Sequence, residues 1–142
     1  MKIVKLLDSY ALLAYLNGEP GCGKVREALI AAREGVCDLC MNEINIGESY
    51  YILSRKRGAE KADYLLDTIL PGLPIRNVAN DFPDVIAASR IKAQYPLSFA
   101  DCFAVATASS EGASILTGDP EFKSVEHLVT IEWLENPAGQ QG

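Results

Sequence analysis

Four acids stand out by where they fall in the chain: Asp8, Glu43, Asp101 and Asp119. Asp8 ends the apolar run Ile3 to Leu7, Glu43 follows the run beginning at Val36, and Asp119 follows Ile115-Leu116-Thr117. Asp101 completes Ser98-Phe99-Ala100-Asp101, the S-x-x-D form of a helix capping box. Each acid alone has an ordinary role as a cap, a turn residue or a partner of a helix dipole. All four at strand ends or helix starts is a different matter, because ligands of an open parallel sheet bind at the carboxyl ends of its strands. Two unit charges about 4 Å apart repel by about 1 kcal/mol in water, and by about 4 kcal/mol at an effective dielectric of 20. Gathered acids therefore need protons or cations. An all-oxygen donor set suits Mg²⁺, with Mn²⁺ as an alternative, and the sequence offers no His or Cys cluster for zinc. Acids, such a metal and its bound water make the chemistry of phosphodiester hydrolysis.

The elements that must position these acids alternate between short apolar runs and longer helical ones. Ile3 to Leu7, Val36 to Cys40, Leu73 to Val78, Ala113 to Thr117 and Val129 to Glu132 read as strands, the last at an edge. Helices are expected over residues 9–16, 21–34, 42–53, 60–70, 81–93 and 98–110, with Gly35, Gly58 and Gly112 as stops. Pro83 is tolerated in a first turn. Strands alternating with helices imply parallel βαβ units, hence a three-layer α/β/α sandwich around a mostly parallel sheet. With 142 residues, one domain over residues 1–135 and a frayed tail over 136–142 are expected.

The composition, 49% hydrophobic and 23% charged, is that of a globular chain, and no apolar stretch is long enough for a membrane span. Lys5 within the first apolar run and Asp8 at its end make a poor secretory signal, so a cytoplasmic protein is expected. A net charge of −6 argues against a general nucleic-acid coat, though local basic patches remain compatible with it. The four cysteines read as reduced core residues; Cys37 and Cys40 lie three apart in a strand and so point to opposite faces. Gly18 to Val25 nearly spells a phosphate loop, but Val25 stands where a hydroxyl must reach the metal, and a helix precedes the loop. A glycine-rich turn is the better reading. Arg55-Lys56-Arg57 complements a helix C-terminus; gripping RNA phosphates, alone or with Lys24, Arg26, Arg76 or Lys123, is the competing role. Tyr50, Tyr51 and Tyr64 read first as packing residues and second as a partner groove or base-stacking surface. The single histidine, His127, excludes a His pair, and no G-x-S-x-G is present.

At these positions the chain resembles the PIN-domain nucleases, and most closely the VapC-type toxins of toxin–antitoxin pairs. The resemblance runs from Ile3 to about Trp133. It rests on Leu7-Asp8-Ser9, Asn42-Glu43, Leu97-Ser98-Phe99-Ala100-Asp101-Cys102 and Leu116-Thr117-Gly118-Asp119-Pro120-Glu121-Phe122. It implies Mg²⁺ held by Asp8, Glu43, Asp101 and Asp119, with Asp8 and Asp101 as principal ligands and Thr117 and Ser98 as supporting hydrogen-bonders. It further implies endonucleolytic cleavage of RNA, a homodimer and a cognate antitoxin that buries a segment across the site. The alternatives are a PIN-like RNA-binding or RNA-processing module with no toxin role, and a doubly wound phosphoryl-transfer domain. The latter wants a second acid beside the first, where Ser9-Tyr10 supplies none.

Overall fold

Leu6 and Leu7 are adjacent and both fully buried, yet they enter different cores. Alternation along a strand sends neighbours to opposite faces, so both faces of this sheet must be covered. The same split holds for Met41 against Cys40 and for Leu116 against Ile115. In the computed structural model, which describes residues 2–135, five strands form one sheet in the order β3-β2-β1-β4-β5, every pairing parallel. They are β1 (Ile3–Leu7), β2 (Cys37–Asn42), β3 (Arg76–Val78), β4 (Ser114–Thr117) and β5 (Ile131–Trp133). Helices α1 (Ser9–Leu16), α2 (Cys22–Arg33), α3 (Glu43–Arg57) and α4 (Ala59–Tyr64) pack with Leu7, Leu39, Met41 and Leu116 on one face. Helices α5 (Phe82–Gln94) and α6 (Phe99–Glu111) pack with Leu6, Cys40 and Ile115 on the other. The expected α/β/α sandwich with a parallel central sheet is what the chain forms, and no helix among the described residues is long and apolar enough to cross a membrane. The tail expected over residues 136–142 lies outside the described residues.

Several bounds depart from expectation: α3 runs on to Arg57, β5 is Ile131–Trp133, and a 3₁₀ turn forms over Pro120–Val125; two further departures have a local cause. The strand expected from Leu73 begins only at Arg76, since Pro74 has no N–H to give to a ladder. The helix expected over 60–70 is regular only to Tyr64, then loosens into a π turn (Leu65–Ile69) and a 3₁₀ turn (Leu70–Gly72) as Pro71 approaches. All four cysteines are free thiols, with Cys37, Cys40 and Cys102 buried. The strand order places β1 at the centre, with the chain building outward first on the β2 side and later on the β4 side. The reversal falls between the carboxyl ends of β1 and β4, where a crevice opens.

Candidate active site

Asp8 leaves β1 and caps α1 in one step. Its Oδ1 accepts the Ala11 N–H at 2.8 Å, and its Oδ2 accepts the Thr117 hydroxyl from the end of β4. Thr117 Oγ1 in turn accepts the Asp119 N–H at 3.0 Å, so one hydroxyl ties together the loops that follow neighbouring strands. Asp101 arrives from the other core: Ser98 caps α6, its Oγ accepting the Asp101 N–H at 3.2 Å, which fixes Asp101 in the first helical turn. Ser98 and Asp101 here make the capping contact their spacing suggested.

Asp8, Ser98, Asp101 and Asp119 border one cavity of about 480 Å³ that also takes in Tyr10, Glu19, Glu48, Lys56 and Glu121. One carboxylate oxygen from each of Asp101, Asp119 and Glu121 lies within 4.8 Å of the other two. Asp8 and Asp101 are nearly inaccessible, 1% and 5% exposed. Burial pushes the Asp8 carboxyl up to about 7; the Thr117 and Ala11 hydrogen bonds oppose that rise, and the charges of Asp119 and Glu48 add to it. Asp101 is pushed up to about 8, first by burial and then by the charges of Asp8 and Asp119. Without a cation, both carboxyls resist ionising near neutral pH. That is the electrostatic signature of a site short of positive charge.

The structure brings together three of the four acids expected from the sequence. Glu43 is the exception. It opens α3 as a first-turn acid, is exposed, and accepts the Asn80 N–H at 3.3 Å, away from the residues that line the cavity. The acid of α3 that does border the cavity is Glu48, whose Oε1 accepts the Ser9 hydroxyl. Glu48, Ile52 and Lys56 lie four apart and share one helix face over the cavity. A trace of this was present in the sequence: the buried stripe of α3 contains the polar Asn45 and Ser49 beside Ile46 and Leu53, unusual for a face meant only for packing. Asn45 reaches the Ala100 carbonyl at 3.1 Å, next to Asp101, and its buried Oδ1 has no hydrogen-bond partner among the described residues. Glu121 was likewise overlooked; it stands two residues past Asp119 across Pro120, and its N–H donates to Asp119 Oδ1 at 2.9 Å.

Gly18 to Val25 is a turn and helix start, with Lys24 Nζ donating to the Trp133 carbonyl. Arg76 is engaged by Asp38 and Glu111. Tyr50 is half-buried and donates to Asp63, while Tyr51 is exposed beneath Arg55 and Tyr64 is exposed. His127 is exposed, its ring 3.1 Å from the Tyr95 hydroxyl.

The family model described as "PIN domain" matches residues 5–128. No curated protein sequence matches the chain. Among solved structures, VapBC2 of Rickettsia felis bound to a DNA fragment from its promoter is similar at a TM-score of 0.73 and 15% identity, covering 92% of this chain and 98% of that one. DNA-bound VapBC of Salmonella typhimurium follows at 0.71 and 17%, covering 95% and 100%. The sarcin-ricin loop cleaving toxin VapC20 of Mycobacterium tuberculosis is similar at 0.67 and 16%, covering 86% and 94%.

Proposed function

The chain belongs to the PIN domain family, and on that premise we propose that it is a Mg²⁺-dependent endoribonuclease acting in the cytoplasm as the toxin half of a type II toxin–antitoxin pair. The observation that carries this reading is the single cavity bordered by Asp8, Asp101, Asp119, Glu121 and Glu48, with two of its carboxyls pushed up towards neutral pH. The donor set fits Mg²⁺ or Mn²⁺: it is all carboxylate oxygen, three of its acids can reach one point, and Lys56 is the one cation among the described residues on a lining of several acids. Asp101, Asp119 and Glu121 would hold the ion beside Asp8, and Glu48 takes the place that the sequence reading gave to Glu43. When bound, the metal supplies an acidified water and neutralises charge on a scissile phosphate. The chain's own hydroxyls do the positioning. Thr117 holds Asp8 and the Asp119 backbone in register, and Ser9 orients Glu48.

RNA as substrate and an antitoxin as partner come to this chain through its family and through its pocket. An Arg or Lys from a partner segment laid across the cavity would satisfy the charge that the metal otherwise supplies. The homodimer belongs to the same proposal, with light scattering of the purified chain as its measurement. Cleavage of RNA is expected with Mg²⁺, to stop with chelator, and to fall at least about a hundredfold in Asp8→Asn and Asp101→Asn. Equal, metal-independent cleavage by all three proteins would reject the site. Growth arrest on expression, relieved by a co-expressed antitoxin, separates the toxin from an RNA-processing domain.

A further inference from the structure

A second cavity, of about 270 Å³, adjoins the acid cavity, and the two share the Tyr10 side chain as a common wall. The loop after β4 divides them residue by residue: Asp119 and Glu121 border the acid cavity, and Gly118 and Pro120 border its neighbour. The second cavity therefore lies a short step from the acids, on the β5 side, where Trp133 pairs with Thr117 across the sheet. We propose that this cavity is a subsite for one base of a single-stranded RNA, with Tyr10 and Trp133 as its aromatic walls and Lys123 at its phosphate edge. The ligand class rests on the nuclease reading above; the site itself rests on the following geometry.

Tyr10 is fixed yet open. A Cβ placed on Gly118 would come within 2.3 Å of the Tyr10 Cε1, so the ring lies directly against the loop backbone. The residue is nonetheless 47% exposed, and its hydroxyl has no hydrogen-bond partner among the described residues. Trp133 borders the cavity, packs in part against the core under α5 and α6, and its indole N–H donates to Glu126 Oε2 at 3.1 Å. Lys123 is exposed and makes no ion pair with a described residue, in a chain whose net charge is −6. A ring held against the backbone beside a cation that makes no ion pair with a described residue suits single-stranded nucleic acid, since every base has a π-face and every nucleotide a phosphate.

Trp133 is the chain's one tryptophan, so the site carries its own reporter. The full chain, held in chelator at low ionic strength, is titrated with short single-stranded oligoribonucleotides and with an abasic oligomer of equal length. A saturable change in tryptophan emission is expected with the base-bearing oligomers, and binding of the abasic one about tenfold weaker or worse. Tyr10→Leu keeps bulk over Gly118 but removes the ring, and is expected to weaken binding about tenfold; Tyr10→Phe is expected to retain it. Lys123→Ala is expected to flatten the salt dependence. Equal affinity for the abasic oligomer, no saturable change, or an unaltered Tyr10→Leu would each overturn the subsite, as would an emission change reproduced by apolar peptides but not by RNA. Neither metal nor cleavage enters the titration. A chain that binds as expected but fails to cut RNA with Mg²⁺ sinks the nuclease reading alone, and the reverse outcome sinks the subsite alone.

Discussion

Asp8 and Asp101 make the metal-free protein sensitive to pH in a direction opposite to that of an ordinary salt-bridged carboxylate. Unfolded, each ionises near the usual 3.8; folded, they hold their protons to about 7 and about 8. Between those values the folded chain binds more protons than the unfolded one, so stability falls as pH rises from about 4 to about 8. Thermal unfolding of the metal-free chain is expected to show this decline, with Mg²⁺ reversing it most strongly at the alkaline end. Asp101→Asn is expected to raise the metal-free midpoint near pH 8 and to remove the response to Mg²⁺. A midpoint that climbs with pH in chelator would contradict the burial argument. The two α3 acids separate just as sharply: Glu48→Gln is expected to lower RNA cleavage about 10- to 100-fold, whereas Glu43→Gln, outside the cavity, is expected to leave the rate near wild type. That contrast also shows what the sequence could tell. Asp8 and Asp119 were legible because each follows a strand of the β1–β4 pair, and Asp101 because it lies in the first turn after the Ser98 cap; Glu43 shows that such a position alone is not enough. Glu48 was not, because it lies past the first turn of α3, and only the packing of that helix decides which of its faces meets the cavity.

The elements were more legible than the site, because their signals are local. The β1 run, the Ser98 cap and the Gly112 stop, which sits at φ +65°, are each read from a few consecutive residues. Less legible was anything decided by contact between distant segments. The glycine-rich stretch before α2 is such a case. Gly21, the residue before that helix, takes φ +88°, and a Cβ there would come 2.8 Å from the Leu134 Cβ beyond β5. What looked like a phosphate loop is thus a close crossing of two chain segments, braced by the Lys24 bond to Trp133. Gly21→Ala must adopt a left-handed backbone and push Leu134 aside, so a loss of about 1–3 kcal/mol is expected in urea unfolding. Gly23→Ala is the control. It lies inside the same helix with open space around it and is expected to be neutral or slightly stabilising.

At the scale of the whole molecule, the charge balance sets how RNA can be held. A chain of net charge −6 gains nothing from a general field and must rely on the cations placed at the cavities. Among the described residues that line the two cavities, the cations are Lys56 at the rim of the acid cavity and Lys123 beside its neighbour, and neither is in an ion pair with a described residue. Binding to a single strand releases about 0.7 counterions per phosphate neutralised, so two such contacts predict a shallow slope of log K against log salt, about −1.4. Lys56→Ala is expected to reduce that slope by about 0.7. Filter binding of an uncleavable RNA across a salt series measures the slope directly. A value near −4 would mean that the cluster at the end of α3, Arg55 and Arg57 included, tracks the backbone as a groove, and that RNA lies along this helix rather than across the sheet edge.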